Sequence, residues 1–164
     1  MTNEIKRNNW SRFCKKFNVT NQFRMVTVYV QKSDGREVIL NQSSPFLGIT
    51  LSKKGRFIDG VELFTGQADP DQISQPTVTV TKPVKVMLEK DSRGMDHNLA
   101  VESEDGTRVR VDFFGEKDLR QCQTLIEKVA YSMYEKRGFT TGNDVEDWLS
   151  AERKIREIEH QFVS

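Results

Sequence analysis

The chain is short of the residues that most chemistry needs. It has two cysteines, two histidines and four prolines in 164 residues. Cys14 and Cys122 stand far apart and form no metal-ligand spacing. The opening MTNEIKRNNW contains no apolar signal segment. The expected state is therefore a cytoplasmic protein with two buried, reduced thiols and no disulfide framework. No apolar run nears the roughly 18 residues of a membrane helix. The glycines are too dispersed for a phosphate loop, and FLGITLS at 46–52 is not a nucleophile elbow. DPDQ at 69–72 lacks the ligand pattern of a calcium loop. His97 and His160 have no triad context. The remaining carboxylates, such as Asp91, Asp96, Glu104 and Asp105, fall in turn-forming stretches, where such residues are usually solvated. Neither a metal nor a cofactor is expected, and an enzyme ranks last among the functional readings.

What is present fits a soluble domain, 36% hydrophobic and 30% charged, with 25 basic and 24 acidic residues. The charge is uneven, because residues 1–24 carry six basic side chains against Glu4 alone. Within that lead, Trp10, Phe13, Cys14 and Phe17 recur at three and four, one stripe of a helix, with Arg12, Lys15 and Lys16 facing away. That stripe is expected to plug the open end of a sheet while the lysines meet water.

From Arg24 to Phe114 the period becomes two, broken by Gly, Pro and Asp. The two Asp-Gly turns are read by register. A three-residue loop at Glu104–Gly106 sets Leu99 opposite Val111, Val101 opposite Val109 and Glu102 opposite Arg108, apolar against apolar on one face. The same loop at Ser33–Gly35 sets Val30 opposite Val38 and Val28 opposite Leu40. Gly35 and Gly106 then need positive φ. PFLGITLSK, GVELFTG, PTVTVT and PVKVMLEKD supply further strands, with Pro76 and Pro83 at starts, edges or breaks. About seven short strands imply an antiparallel meander bent into a small barrel or sandwich.

After Gly115 a helical stripe returns in Leu119, Cys122, Leu125, Ile126, Val129, Ala130 and Met133, ending at a left-handed Gly138. Asn143 and Glu146 open a second helix with a capping-box signal. Val145, Trp148, Leu149, Ile155, Ile158 and Phe162 are its expected apolar stripe. The fold class is therefore α+β: an N-terminal helix, the β meander and a C-terminal αα-hairpin, divided as residues 1–115 and 116–164. Two such helices cannot bury enough apolar surface alone. They should dock on the β module, or pair with a second copy as a homodimer.

The pattern Ala130-Tyr131-x-x-Tyr134-Glu135-x-Arg137-Gly138, then Gly142-x-Asp144-x-x-x-Trp148-Leu149-x-Ala151-Glu152, resembles domain-of-unknown-function family 2934, a short bacterial domain. Tyr134 stands where that family usually has a tryptophan. Trp10-x-x-Phe13-x-x-x-Phe17, Pro45-Phe46-x-Gly48-Ile49 and Lys82-Pro83-Val84 leading into VESEDGTRVRV are similar to domain-of-unknown-function family 5335. The two resemblances imply a two-module bacterial protein and bring no known activity, substrate or cofactor.

The leading expectation is a non-enzymatic adaptor or regulatory module that binds a protein through Tyr134, Arg137, Asp144 and Trp148, residue types common in binding hot spots. The competing structural reading of Tyr131, Tyr134, Arg137 and Trp148 is an aromatic mini-core. The alternative function is a nucleic-acid-binding barrel using Lys15, Lys16, Arg108 and Arg110. The near-neutral pI of about 7.7 argues against it.

Overall fold

The computed structural model describes residues 2–163. The chain begins with a short strand, β1 (Thr2–Ile5), passes a 3-10 turn at Arg7–Asn9 and enters α1 (Trp10–Asn21). Then come β2 (Met25–Gln31), β3 (Glu37–Lys54), β4 (Phe57–Thr65), β5 (Val78–Thr81), β6 (Pro83–Lys90), β7 (Asp96–Ser103) and β8 (Arg108–Phe114). The helices α2 (Arg120–Lys136) and α3 (Asp144–Val163) end the chain. The strands form one antiparallel sheet in the order β1-β6-β7-β8-β2-β3-β4-β5.

The architecture is the expected α+β one, with two changes to the strand inventory. REVILN and PFLGITLSK are one 18-residue strand, β3, whose path is broken by a register shift against β2 and a φ of +52° at Ser43. Its first part pairs with β2 and its second with β4. The four-residue β1 is too short and polar to show a period. It exists because it pairs with β6, Ile5 opposite Val86, and because its Ile5 carbonyl accepts from the Trp10 indole N–H at 2.9 Å.

The register of the β7–β8 hairpin is the expected one, with Leu99 on Val111, Val101 on Val109 and Glu102 on Arg108. Gly35 and Gly106 take φ of +92° and +90°. In the β2–β3 hairpin Val30 meets Val38 as expected, but Val28 meets Asn41 instead of Leu40, because a bulge intervenes. Pro83 starts β6, and Pro76 lies just before β5.

The sheet bends strongly but does not close into a barrel. β5 runs directly into β6 through Lys82, at φ +48°. At this kink the Lys82 amide donates to the Asp59 carbonyl and the Lys82 carbonyl accepts from the Glu104 amide, both at 2.9 Å. Strand ends thus meet at a corner, and no ladder joins the sheet's two edge strands.

Two hydrophobic cores result. The first fills the concave side, where Trp10, Cys14 and Phe17 of α1 cover Val26, Val28, Val109 and Val111. Phe17, Phe46 and Phe113 meet edge to face there, at 5.3–5.6 Å between centroids. The second core lies outside β3 and β4, where the helical hairpin docks. Leu47, Phe64, Phe23 and Ile73 meet Cys122, Ile126, Val129, Ile155 and Phe162. Strand β3 is therefore buried on both faces from Phe46 to Ile49, which explains the unbroken apolar run there.

Candidate interaction surface at the hairpin tip

The helical hairpin is shaped by what it buries. Cys122, Leu125, Ile126 and Val129 of α2 point into the second core. At the C-terminal end Gly138 takes φ +71° and Phe139 follows at +61°, a conformation that is uncommon and costly for a bulky residue. The Gly138 amide donates to the Glu135 carbonyl at 2.9 Å and the Phe139 amide to the Tyr134 carbonyl at 3.1 Å. Asn143 opens α3 through its carbonyl, which accepts from the Asp147 amide at 2.9 Å.

Across the tip, both terminal nitrogens of the Arg137 guanidinium donate to the two oxygens of Asp147. Asp147 is 6% exposed, whereas the arginine keeps a third of its side chain in solvent. The hydrogen bonds from Arg137 hold the Asp147 carboxyl below the usual carboxylate range, and those bonds push Arg137 up. Next to it, Lys136 pairs with Asp69 at 2.8 Å and with Asp71. The DPDQ segment thus meets the hairpin through exposed ion pairs, which add little to the docking.

Outside this clamp lies an aromatic ladder. The rings of Tyr131 and Tyr134 are 6.0 Å apart, and those of Tyr134 and Phe139 5.3 Å apart, edge to face. Tyr131 and Phe139 are each more than half exposed. A shallow cavity of about 400 Å³ is lined by Ala130, Tyr131, Tyr134, Thr141, Asp144 and Asp147.

Of the four residues singled out for a partner surface, Tyr134 and Asp144 share this cavity. Arg137 stands behind them, engaged by Asp147. Trp148 is turned away and lies half-buried against the second core. Val145 and Leu149, expected in the inner stripe of α3, are exposed, while Asp147 and Ala151 are buried. Sequence reading missed Asp147 and Phe139. An acid on the inner face of α3, opposite an arginine in the last turn of the preceding helix, was a usable signal. A left-handed Phe139 leaves none.

The residues of the nucleic-acid alternative do not converge. Lys15 and Lys16 are exposed on α1, which covers the concave face of the sheet. Val109 and Val111 point to that face, so Arg108 and Arg110 point to the other. Arg110 is engaged by Asp112 at 3.0 Å and Glu37 at 3.3 Å, and lies 4.3 Å from the centre of the Tyr29 ring. His97 and His160 are both exposed, and Cys14 is buried in the first core. The described residues contain no group of three or more side chains placed to hold a metal ion.

Residues 123–157 match a family model. It is described as a protein of unknown function, DUF2934, and the match covers the body of α2, the loop and most of α3. No curated protein matches the chain. The aromatic ladder, the Arg137–Asp147 clamp and Asp144 all fall within the matched segment.

Proposed function

We propose that this chain is a non-enzymatic adaptor or regulatory module that binds another protein through the tip of its helical hairpin. The observation that carries this reading is the pairing of a rigid support with an exposed aromatic surface. Arg137 and Asp147 fix the two helices, and Tyr131, Tyr134 and Phe139 stand outside that clamp. Aromatic side chains lose little entropy when a partner covers them, and a preorganised surface lowers the cost of binding. The left-handed backbone at Phe139 supports the same reading, since strain of this kind concentrates where function requires it. A cytoplasmic setting fits the two buried thiols, and no helix among the described residues is long and apolar enough to cross a membrane. The N-terminal likeness to domain-of-unknown-function family 5335 adds a second bacterial module to the proposal and no activity.

The test compares the full-length chain with a Tyr131→Ser/Phe139→Ser variant as bait. The exchanged side chains are exposed, so the melting temperature should stay within a few degrees. A protein captured by the wild type should, once purified, bind the variant roughly tenfold more weakly. If the purified protein binds both equally well, or nothing but a second copy of the chain is recovered, the hairpin tip is not an adaptor surface.

A further inference from the structure

On the far side of the sheet from the hairpin, a cleft of about 560 Å³ opens between α1, β1 and β6. Its walls divide by chemistry. Ile5, Phe13, Phe17, Leu88 and Met95 give it an apolar side. Lys16, Lys90, Lys117 and Arg24 give it four cations, and Asp96 is the one acid in the lining. The Asp96 carboxylate is already occupied, accepting from Asn21 Nδ2 at 2.8 Å and standing 3.9 Å from Lys90 Nζ.

Arg24 is 5% exposed, and its direct partners are neutral oxygens. Nε donates to the Gly115 carbonyl, and Nη1 to Asn21 Oδ1 and the Asp96 carbonyl, each at 2.8 Å. The guanidinium lies 4.9 Å from the centre of the Phe113 ring. Nη2 has no hydrogen-bond partner among the described residues, yet it is not one of the polar atoms sealed away from solvent. The cleft is the open space that this side chain borders. Burial draws its pKa below the ordinary arginine value, against the opposing pull of Asp96, Asp91 and Glu116. A cation with one donor left facing the cleft and no carboxylate bonded to it can hand that donor to an entering anion, and a bond to a charged acceptor is stronger than one to water.

We propose that this cleft binds a small amphipathic carboxylate, with its alkyl body on Phe13, Phe17 and Leu88 and its carboxylate accepting from Arg24 Nη2. Lys16 and Lys117 line the cleft from exposed positions. Lys117 is held loosely, by one 3.3 Å bond to the Val19 carbonyl. Sites of this size with an apolar wall and a few convergent polar groups are the usual form of a small-molecule pocket. The site is independent of the hairpin surface, so either reading can fail alone.

Calorimetric titration of the full-length chain with decanoate, below its micelle concentration, tests the assignment. One decanoate per chain is expected, with decanol binding roughly tenfold more weakly because it lacks the charge. Arg24→Gln should weaken decanoate about tenfold, and so should the double variant Lys16→Glu/Lys117→Glu, whose side chains lie at the surface and keep the fold even if Arg24→Gln does not. No decanoate binding would overturn the assignment. So would decanol binding as tightly, or decanoate affinity untouched by the lysine exchanges.

Discussion

At Gly48 a side chain is excluded by a neighbour and not by the backbone. A Cβ there would lie 2.3 Å from Cγ of Phe162, so α3 docks on β3 only because this position is bare. Gly48→Ala should cost about 1–3 kcal/mol, as overpacking does, read as a lower denaturant midpoint with an unchanged slope. Asp147 gives a second residue-scale prediction, with a definite sign. Its folded pKa is depressed by Arg137. The pair therefore stabilises the fold above the unfolded aspartate value, about 3.9, and that contribution is lost as the pH falls through the lower folded value. Asp147→Asn should be less stable than the wild type at pH 7, and the gap should narrow as unfolding is followed down to pH 3. An undiminished gap would mean that the carboxylate's charge is irrelevant. Gly35 and Gly106 were legible at this scale because an Asp-Gly turn and a hydrophobic register both require them. Phe139 was not, since its positive φ is imposed by the loop.

Among the elements, α1 has the least expected role. Its apolar stripe was readable and covers the concave face of the sheet. Two buried amides four residues apart, Asn18 on its flank and Gln22 just past its last residue, bind other elements. Asn18 Oδ1 accepts from the Ile49 amide at 2.8 Å, and its Nδ2 donates to the carbonyls of Ile49 and Phe162. Gln22 Nε2 donates to the carbonyls of Leu47 and Glu159. The helix thus fastens β3 to α3. Asn18→Leu should cost about 1–3 kcal/mol, because the Ile49 amide loses its partner while buried, and chemical denaturation would detect it. An unchanged stability would show that water replaces the amide. Period alone could not find these amides, since it marks a helix's apolar face and says nothing of a polar flank touching a third layer. The same limit explains α3. Val145 and Leu149 fit a helical stripe equally well, but α3 buries Asp147, Ala151, Ile155, Ile158 and Phe162, with Asp147 meeting Arg137 across the hairpin loop. It also explains why β3 reads as two strands: Ser43–Pro45 looks like a turn but lies within one strand, where pairing passes from β2 to β4.

For the whole molecule, the two apolar masses lie on opposite faces of the same strand. The β period and the helical stripes were enough to expect both layers and their docking. Which strand the hairpin would cover was legible but overlooked, because the unbroken run PFLGI departs from the alternation of a barrel strand and marks one covered on both faces. The placement of the two thiols follows from this layering. Cys14 belongs to the inner core and Cys122 to the outer one. Burial raises both, Cys14 to about 12, so neither is reactive while its surroundings stay shut. The native chain thereby carries an alkylation clock in each compartment. Under mildly destabilising conditions, peptide mapping of iodoacetamide uptake should find Cys122 modified before Cys14, because the hairpin can lift without the sheet unrolling. Equal rates would mean that the two compartments yield only as one cooperative unit.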